Sequence, residues 1–469
     1  MSLTDPDPVA PPPRRPLVRW LWTSNPLYVI SAGLFLYGLR ESFGAQTREV
    51  DTWALMGGLA GYTLLLAAAA FVLVKVAGAW DDVRTVLLLV VLMFLATSVT
   101  FDELLVFEPR RGMLFNLGGL AFAVLLSEGV LHGLGLRLPV LYRVPYHLAL
   151  ALFFLYPIAL AELRTGDAET VLWALWGFGP AAAVVTLTLL PAARRGSAYL
   201  RGTGSPWPWP FYPWSLFVFL AAAVCGRSFL LCWSLHTPQA ASDLAFGPHF
   251  LVPFGFAVAA VVLEIGIAAW SRRTQLLALA VPVGTVALAG LGHQPDEVYR
   301  EFLGHFAARL GGTPLFVSLV AATGFYLIAA VRRVPLAFDG FVLAVAATAI
   351  VGPHSLWLND ATGVRVAPLA AAVSVAVTVA LVRRDGWRLL LAGSVAAAWL
   401  GHLGWWGYRV LREQVAGLDY LTAGLVLLPA AVLVSLGKSG ALARWARVWL
   451  RRVFPGRIDP VLHVARGNE

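Results

Sequence analysis

Long apolar stretches, separated by short linkers that carry the charged residues, follow one another along almost the whole chain. The stretches are roughly 16 to 24 residues long, the length over which an α-helix crosses a hydrocarbon core of about 30 Å. They lack the alternation of apolar and polar positions that is typical of strands and surface helices in soluble proteins. The pattern therefore predicts an all-α, polytopic integral membrane protein.

Fourteen of these stretches are predicted to be transmembrane helices. They cover residues 25–39, 53–74, 85–101, 113–135, 146–161, 170–191, 211–233, 249–270, 274–292, 313–331, 335–352, 364–382, 387–408 and 418–437. The first of them is short and begins at Asn25–Pro26. The predicted organisation is an N-terminal tail over 1–24, one transmembrane domain over 25–437 and a basic amphipathic C-terminal tail over 438–469.

Basic residues concentrate in every second linker, and acidic residues concentrate in the linkers between them. The basic linkers contain Arg137, Arg143, Arg194, Arg195, Arg201, Arg272, Arg273, Arg332, Arg333, Arg383, Arg384 and Arg388. Because cytoplasmic loops of membrane proteins carry an excess of Lys and Arg, we assign these linkers and both tails to the cytoplasm. Leaving out any one span would invert all later linkers. The charge pattern therefore favours an even number of spans, with fourteen as the best value.

The composition agrees with a membrane protein and limits its partners. Of the 469 residues, 59% are hydrophobic and 13% are charged, whereas soluble domains carry about 25% charged residues. The formal net charge of +9 lies mainly in the predicted cytoplasmic linkers and tails. Charge in that position suits anionic lipid rather than nucleic acid, so no nucleic-acid partner is expected.

The composition and the N-terminal region together predict a location. Arginine greatly outnumbers lysine, and Ala, Gly, Pro and Leu are abundant, as is typical of proteins from GC-rich bacterial genomes. Pro11–Pro13 and Arg14–Arg15 precede an apolar run without a signal-peptide cleavage site. The run is therefore expected to remain as the first helix, and the predicted location is a bacterial plasma (inner) membrane.

Three segments between or beyond the spans have patterns of their own. Residues 440–454 alternate arginines with aliphatic and aromatic residues, which predicts an amphipathic helix on the anionic inner leaflet. Residues 205–214 contain four prolines and three tryptophans, so they cannot form a regular helix and are predicted to be a stiff cytoplasmic connector. Residues 293–312 carry an apolar stripe and are predicted to form one surface helix on the outer side.

Motifs of well-known catalytic chemistry are missing from the sequence. It contains no HExxH, CxxC or GxSxG motif, and no GxGxxG motif in a strand-to-helix context. These motifs mark metalloproteases, redox or zinc sites, serine hydrolases and dinucleotide-binding folds. The sequence therefore assigns no metal site and leaves any cofactor open.

Ionisable residues inside predicted spans are costly and are therefore candidates for function. Glu128 and Glu264 each lie about 15 residues after the start of an inward-running span, which places both in the inner third of the membrane. His132 follows Glu128 one turn later on the same face, and His147 lies at the start of the next span. Two carboxylates and a histidine at one depth can share a proton or hold a cation. The alternative is that each is satisfied locally by a neighbouring group.

A second group of candidates is predicted near the outer surface. Arg227 and His402 lie in the outer third by the same count of residues. The remaining members are Asp243, Glu301, His305, His354 and Asp360. We expect Arg227 to face the bundle interior, with His402, Asp243 or Asp360 as its partner. Such residues suit acid–base catalysis or a polar-substrate site; the alternative is that they are solvated loop residues.

Prolines within the spans are a third indication of a site. Pro157, Pro180, Pro253, Pro282 and Pro429 each leave a backbone carbonyl without its helical donor. The run from Trp176 to Pro180, with two glycines, is the strongest candidate for a broken helix. Interrupted helices often line substrate sites in transporters, although ordinary kinks are the commoner outcome.

These patterns fit two main classes of function. The first is a transporter- or flippase-like protein that handles a small or lipidic substrate, and polar residues at two depths favour it. The second is a membrane-embedded transferase or hydrolase that acts on lipid-borne substrates at the outer face, where its essential residues would concentrate. A structural or assembly subunit without a site of its own is a third possibility.

Overall fold

The structure is a computed structural model that describes residues 27–43, 49–163, 168–200, 202–234, 247–291 and 297–351, with isolated helical positions between 386 and 412. Every regular element in the continuous ranges is helical. We number the α-helices in chain order as α1 Leu27–Phe43, α2 Glu49–Lys75, α3 Trp80–Thr100, α4 Asp102–Phe107, α5 Pro109–Leu134, α6 Val140–Leu163, α7 Ala168–Leu187, α8 Leu190–Arg195, α9 Phe211–Ser234, α10 Val252–Ala268, α11 Arg272–Gly290, α12 Glu297–Leu310, α13 Pro314–Val331 and α14 Ala337–Val351. Two 3₁₀ turns cover Gly196–Leu200 and Pro248–Leu251.

The described helices confirm the all-α prediction and are compatible with a membrane protein. Within the described ranges, nine helical segments are long and apolar enough to cross a membrane. α1, which matches the short first stretch, has 17 residues and stays below this length. The predicted spans 364–382 and 418–437, and most of 387–408, lie outside the described residues. The total of fourteen spans and the orientation therefore remain predictions.

The described helices form two compact units, divided between Phe302 and Leu303. In the first unit, α2 packs on α3 and α1, α5 on α6, α6 on α7, α7 on α10, and α10 on α11. α9 contacts α3, α6 and α7 in the same unit. In the second unit, α13 packs along α14. The first unit contains the candidate site described below.

Hydroxyl side chains inside the helices are satisfied mostly within their own helix. The hydroxyl groups of Thr63, Thr97, Ser127 and Ser318 donate to the carbonyl four residues earlier, over 2.5 to 2.8 Å. Such bonds satisfy a polar group that would otherwise face hydrocarbon without a partner. They explain how very apolar helices accept Ser and Thr at buried positions.

The run from Trp176 to Pro180 is not a broken helix, which corrects the sequence-based expectation. α7 continues through Pro180 to Leu187. A Cβ atom on Gly179 would lie 1.9 Å from the carbonyl oxygen of Phe250, so the glycine allows the backbone of Pro248–Leu251 to approach α7 closely. The small residues therefore serve helix packing at this point rather than an interruption.

Two predictions about the linkers are confirmed in part. Residues 202–210 form turns and irregular backbone, but the predicted connector 205–214 ends earlier than expected, because α9 begins at Phe211, with a non-helical Tyr212 in its first turn. The linker packs on the turn before α6, where the amide of Arg137 donates to the carbonyl of Thr203 over 2.8 Å. The helix expected over 293–312 is α12, in which Phe302 and Phe306 are buried, and its place on the outer surface remains a prediction.

Candidate functional site

An ion pair between Arg227 of α9 and Asp102 at the start of α4 lies in the interior of the first unit. The guanidinium donates to both carboxylate oxygens, Nη1 to Oδ2 over 2.5 Å and Nη2 to Oδ1 over 2.8 Å. Arg227 is 2% exposed and Asp102 is fully buried. The planar guanidinium suits this two-point geometry, which is the strongest form of an Arg–carboxylate contact.

Two backbone carbonyls complete the surroundings of Arg227. Its Nη2 donates to the carbonyl of Ser98 over 3.1 Å and to the carbonyl of Phe153 over 3.4 Å. Ser98 lies in the last turn of α3, where carbonyls have no donor further along the helix and the helix dipole is negative. Phe153 lies four residues before Pro157, which has no N–H to give it. The carbonyl of Ser98 is therefore available to Arg227 because α3 ends there, and the carbonyl of Phe153 is available because Pro157 has no N–H.

The burial of Arg227 confirms that this residue faces the bundle interior. A buried charge is costly unless it is paired and hydrogen-bonded, and four acceptor contacts from three helical segments meet that need. Its Nε has no hydrogen-bond partner among the described residues. The carboxylate partner is Asp102, which the sequence placed in an outer linker without assigning it to the site.

A cavity of about 610 Å³ lies beside this ion pair, between α1, α2, α3 and α9. Its walls are mainly aliphatic and include Leu36, Leu39, Leu55, Leu59, Leu92 and Leu95. The polar lining is confined to Arg40, Ser98, Thr100 and Arg227. Arg40 lies in the last turn of α1 and Thr100 is the last residue of α3. The polar groups therefore mark the end of the cavity that the charge pattern predicts to be the outer one.

The wall formed by α1 is attached to the rest of the unit along one face. Ala32 is its one buried residue. The ring of Phe35 stacks on Tyr62 of α2 with centroids 4.1 Å apart, and the hydroxyl groups of Ser31 and Tyr62 lie 2.9 Å apart. α1 thus borders the cavity on one side and presents most of its side chains outward.

The predicted inner group is brought together in part. Arg143 of α6 contacts Glu128 of α5 at two points, Nε to Oε1 and Nη2 to Oε2, each over 2.6 Å. His147 Nε2 lies 3.1 Å from Glu128 Oε1. His132 is exposed. The local partner of Glu128 is therefore an arginine from the basic linker, with His147 beside it.

The second carboxylate of the predicted inner group has a different partner. Glu264 of α10 is buried, and its Oε1 lies 3.4 Å from Nη2 of Arg194 on α8. The two carboxylates are thus paired with arginines from two different helices. This arrangement favours the alternative in which each is satisfied locally, while a proton or cation shared by Glu128 and Glu264 remains a prediction.

The other predicted outer residues contribute no described contact to Arg227. Asp243, His354, Asp360 and His402 lie outside the described residues. Glu301 and His305 are on the exposed face of α12. The hypothesis of an outer catalytic or polar-substrate site built from these residues therefore remains a prediction.

Arg40 and Asp102 are the site residues that sequence reasoning missed. Both lie at the predicted outer ends of helices, where charged residues are expected for topology alone. A usable signal was present in Pro157, which leaves a carbonyl without its donor one turn earlier in α6. Nothing in the sequence indicated that this carbonyl would meet an arginine from α9.

In the part of the chain that the structure describes, the fold is helical, the long apolar helices suit a membrane, and they border an aliphatic cavity with arginines at one end. Comparisons with protein-family models, curated proteins and solved structures find no match to this chain. The role of the site is therefore inferred from its own geometry.

Proposed function

We propose that the protein is a fourteen-span, transporter- or flippase-like protein of a bacterial plasma membrane, with both termini in the cytoplasm, that binds a lipidic substrate in the cavity beside Arg227. The observation that carries this proposal is the cavity itself. Its volume of about 610 Å³ falls within the range of roughly 300–1,000 Å³ that is usual for small-molecule sites.

The lining of the cavity suits a hydrocarbon chain better than a polar solute. Contact between the aliphatic walls and a hydrocarbon chain removes apolar surface from water, which is favourable. A polar solute would instead leave its hydrogen-bonding groups without partners there. The polar end supplies donors only where a headgroup would lie. This division of the lining matches an amphiphile with one tail in the cavity.

Movement of such a molecule across the membrane needs polar groups at more than one depth. Arg40 and Arg227 lie at the predicted outer end of the cavity, and the pair of Glu128 with Arg143, which does not line the cavity, lies on the predicted inner side of the membrane. Charged groups at both ends fit a headgroup that passes between the two faces, as polar residues within spans commonly mark substrate pathways.

A cavity-filling variant tests this function directly. A Cβ atom on Gly226, which lines the cavity, would meet no atom within 4 Å, so the backbone accepts a side chain there and Gly226→Leu occupies part of the cavity. Gly118 of α5 is exposed and equally unobstructed but does not line the cavity. Gly118→Leu is therefore the matched control.

The assay uses proteoliposomes that contain the full chain and a phospholipid with a fluorescent label on one acyl chain. Dithionite bleaches the label only in the outer leaflet, so lipid movement increases the bleached fraction. We expect movement with the natural chain and with Gly118→Leu, and a loss of at least tenfold in rate with Gly226→Leu. Equal rates for the two variants, or no movement above protein-free vesicles, would refute the function.

A further inference from the structure

The charged side chains that line the polar end of the cavity belong to two arginines, Arg40 and Arg227. Arg227 is neutralised by Asp102 through two hydrogen bonds. Arg40 is exposed, and it has neither a hydrogen bond nor an ion pair with any of the described residues. Of the two arginines that line the cavity, one is therefore compensated and the other is available to a ligand.

We propose that the cavity selects an amphiphile with an anionic phosphate-ester headgroup, which Arg40 binds while the tail occupies the space beside Gly226. This inference rests on the proposed function, because it specifies the substrate class of the same cavity. A guanidinium binds phosphate oxygens at two points, which an ammonium group cannot do. The apolar walls add tail contacts that inorganic phosphate lacks.

The position of Arg40 limits how the molecule binds. Arg40 follows Leu36 and Leu39 on α1, and all three line the cavity. A headgroup at Arg40 thus places the tail against Leu36, one turn earlier in α1, and against Leu92 and Leu95 of α3. The ligand lies along α1, with its phosphate at the predicted outer end.

Arg40 also suits a purely structural role, and the two roles differ in a measurable way. A cation in the last turn of a helix interacts favourably with the helix dipole, and a long side chain at a membrane boundary reaches toward the headgroup region. Neither effect distinguishes one lipid in the cavity from another. Headgroup selectivity that depends on Arg40 is therefore the property to measure.

The experiment measures binding of two tail-labelled fluorescent lipids, phosphatidylglycerol and phosphatidylcholine, to the purified full chain in detergent. We expect phosphatidylglycerol to bind about tenfold more tightly, the factor that one charge-assisted hydrogen bond supplies. Arg40→Gln should remove this preference, and Arg40→Lys should keep part of it. Arg110→Gln is the control, because Arg110 is exposed on the predicted outer side and lies away from the cavity.

Two further arms separate the possible failures. If both lipids bind equally, Arg40→Gln has no effect and Gly226→Leu weakens both, the headgroup proposal is overturned while the proposed function stands. If Gly226→Leu leaves binding unchanged, the lipid is bound elsewhere and both proposals fail. Inorganic phosphate at millimolar concentration should not displace phosphatidylglycerol; full displacement would show a phosphate site instead of an amphiphile site. Thermal unfolding of each variant confirms that it is folded.

Discussion

Arg227 and Asp102 are 125 positions apart in the chain, and their side chains form a buried ion pair with two parallel hydrogen bonds. The pair connects α9 to the junction between α3 and α4. Buried pairs of this kind are not strong evidence for high stability, because both ions lose their hydration. Their effect is seen when one partner is removed and the other is left buried without compensation.

Loss of either partner should therefore be severe. We expect Arg227→Ala or Asp102→Ala to reduce the free energy of unfolding by about 3–5 kcal/mol. Glu108→Ala should cost far less, because its pair with Arg111 is about half exposed, and such pairs contribute about 0–1 kcal/mol. Thermal unfolding of the detergent-solubilised variants gives the comparison.

A double variant that combines Arg227→Ala with Asp102→Ala tests whether the two side chains depend on each other. Without Asp102, the arginine is an uncompensated charge, so removing both residues should cost clearly less than the sum of the two single changes. A double-mutant cycle measures this difference. Simple additivity would show that the two side chains do not depend on each other in the membrane protein.

The two inner carboxylates provide a second test, because each has its own arginine. Glu128→Gln weakens the contact with Arg143, and Glu264→Gln weakens the contact with Arg194. If the two are independent, the effects of the single changes on the unfolding free energy should add within about 0.5 kcal/mol. A coupling of more than about 1 kcal/mol would instead support the shared proton or cation that the sequence predicts.

A third prediction concerns the close approach at Gly179. Gly179→Ala places a methyl group 1.9 Å from the carbonyl oxygen of Phe250, and both are backbone positions that cannot rotate away. We expect a loss of unfolding free energy of at least about 2 kcal/mol, at the upper end of common point-mutation effects. Gly118→Ala has no neighbour within 4 Å and should be neutral or slightly stabilising, since alanine favours a helix. The measurement is thermal unfolding of the two variants. Equal unfolding midpoints would contradict the close packing at Gly179.

A fourth prediction tests the orientation. A reporter that is active only outside the cytoplasm, fused after residue 469, should give no signal in a bacterial host. Single cysteines at Ala77 and Arg110, in a chain with Cys225 and Cys232 replaced by serine, test the first unit separately. An impermeant maleimide should label Arg110→Cys in intact cells and Ala77→Cys only after permeabilisation. A strong reporter signal combined with correct cysteine labelling would mean an even number of spans beyond residue 110, and therefore an odd total.

The helices and their class could be predicted from the sequence because they depend on local composition. The predicted stretch 113–135 corresponds to α5 at Pro109–Leu134, and 274–292 corresponds to α11 at Arg272–Gly290. Length and hydropathy within each stretch are enough for this, since an apolar segment in a bilayer must satisfy its backbone internally.

The partners of the charged residues could be predicted only in part. A count of residues along each span placed Arg227 toward the same predicted side as the linker that contains Asp102, which agrees with their ion pair. It could not select Asp102 over Asp243 or Asp360, because the choice depends on which helices are neighbours. The rotation of each helix, which brings Arg143 rather than Glu264 to Glu128, is likewise determined by packing and not by periodicity in nearly uniform apolar sequences.

The order of the contacts to Arg227 along the chain has a consequence for membrane insertion. All of its described acceptors, which belong to Ser98, Asp102 and Phe153, precede it. An arginine inside a lone helix is costly during translocon-mediated insertion, by about 2.5–3.5 kcal/mol when it lies at the helix centre. During synthesis, α3 and α6 have already entered the bilayer when α9 leaves the ribosome, so the groups that offset this cost are present in time. A circular permutation that starts the chain at α9 would expose Arg227 to the lipid before any of its acceptors existed.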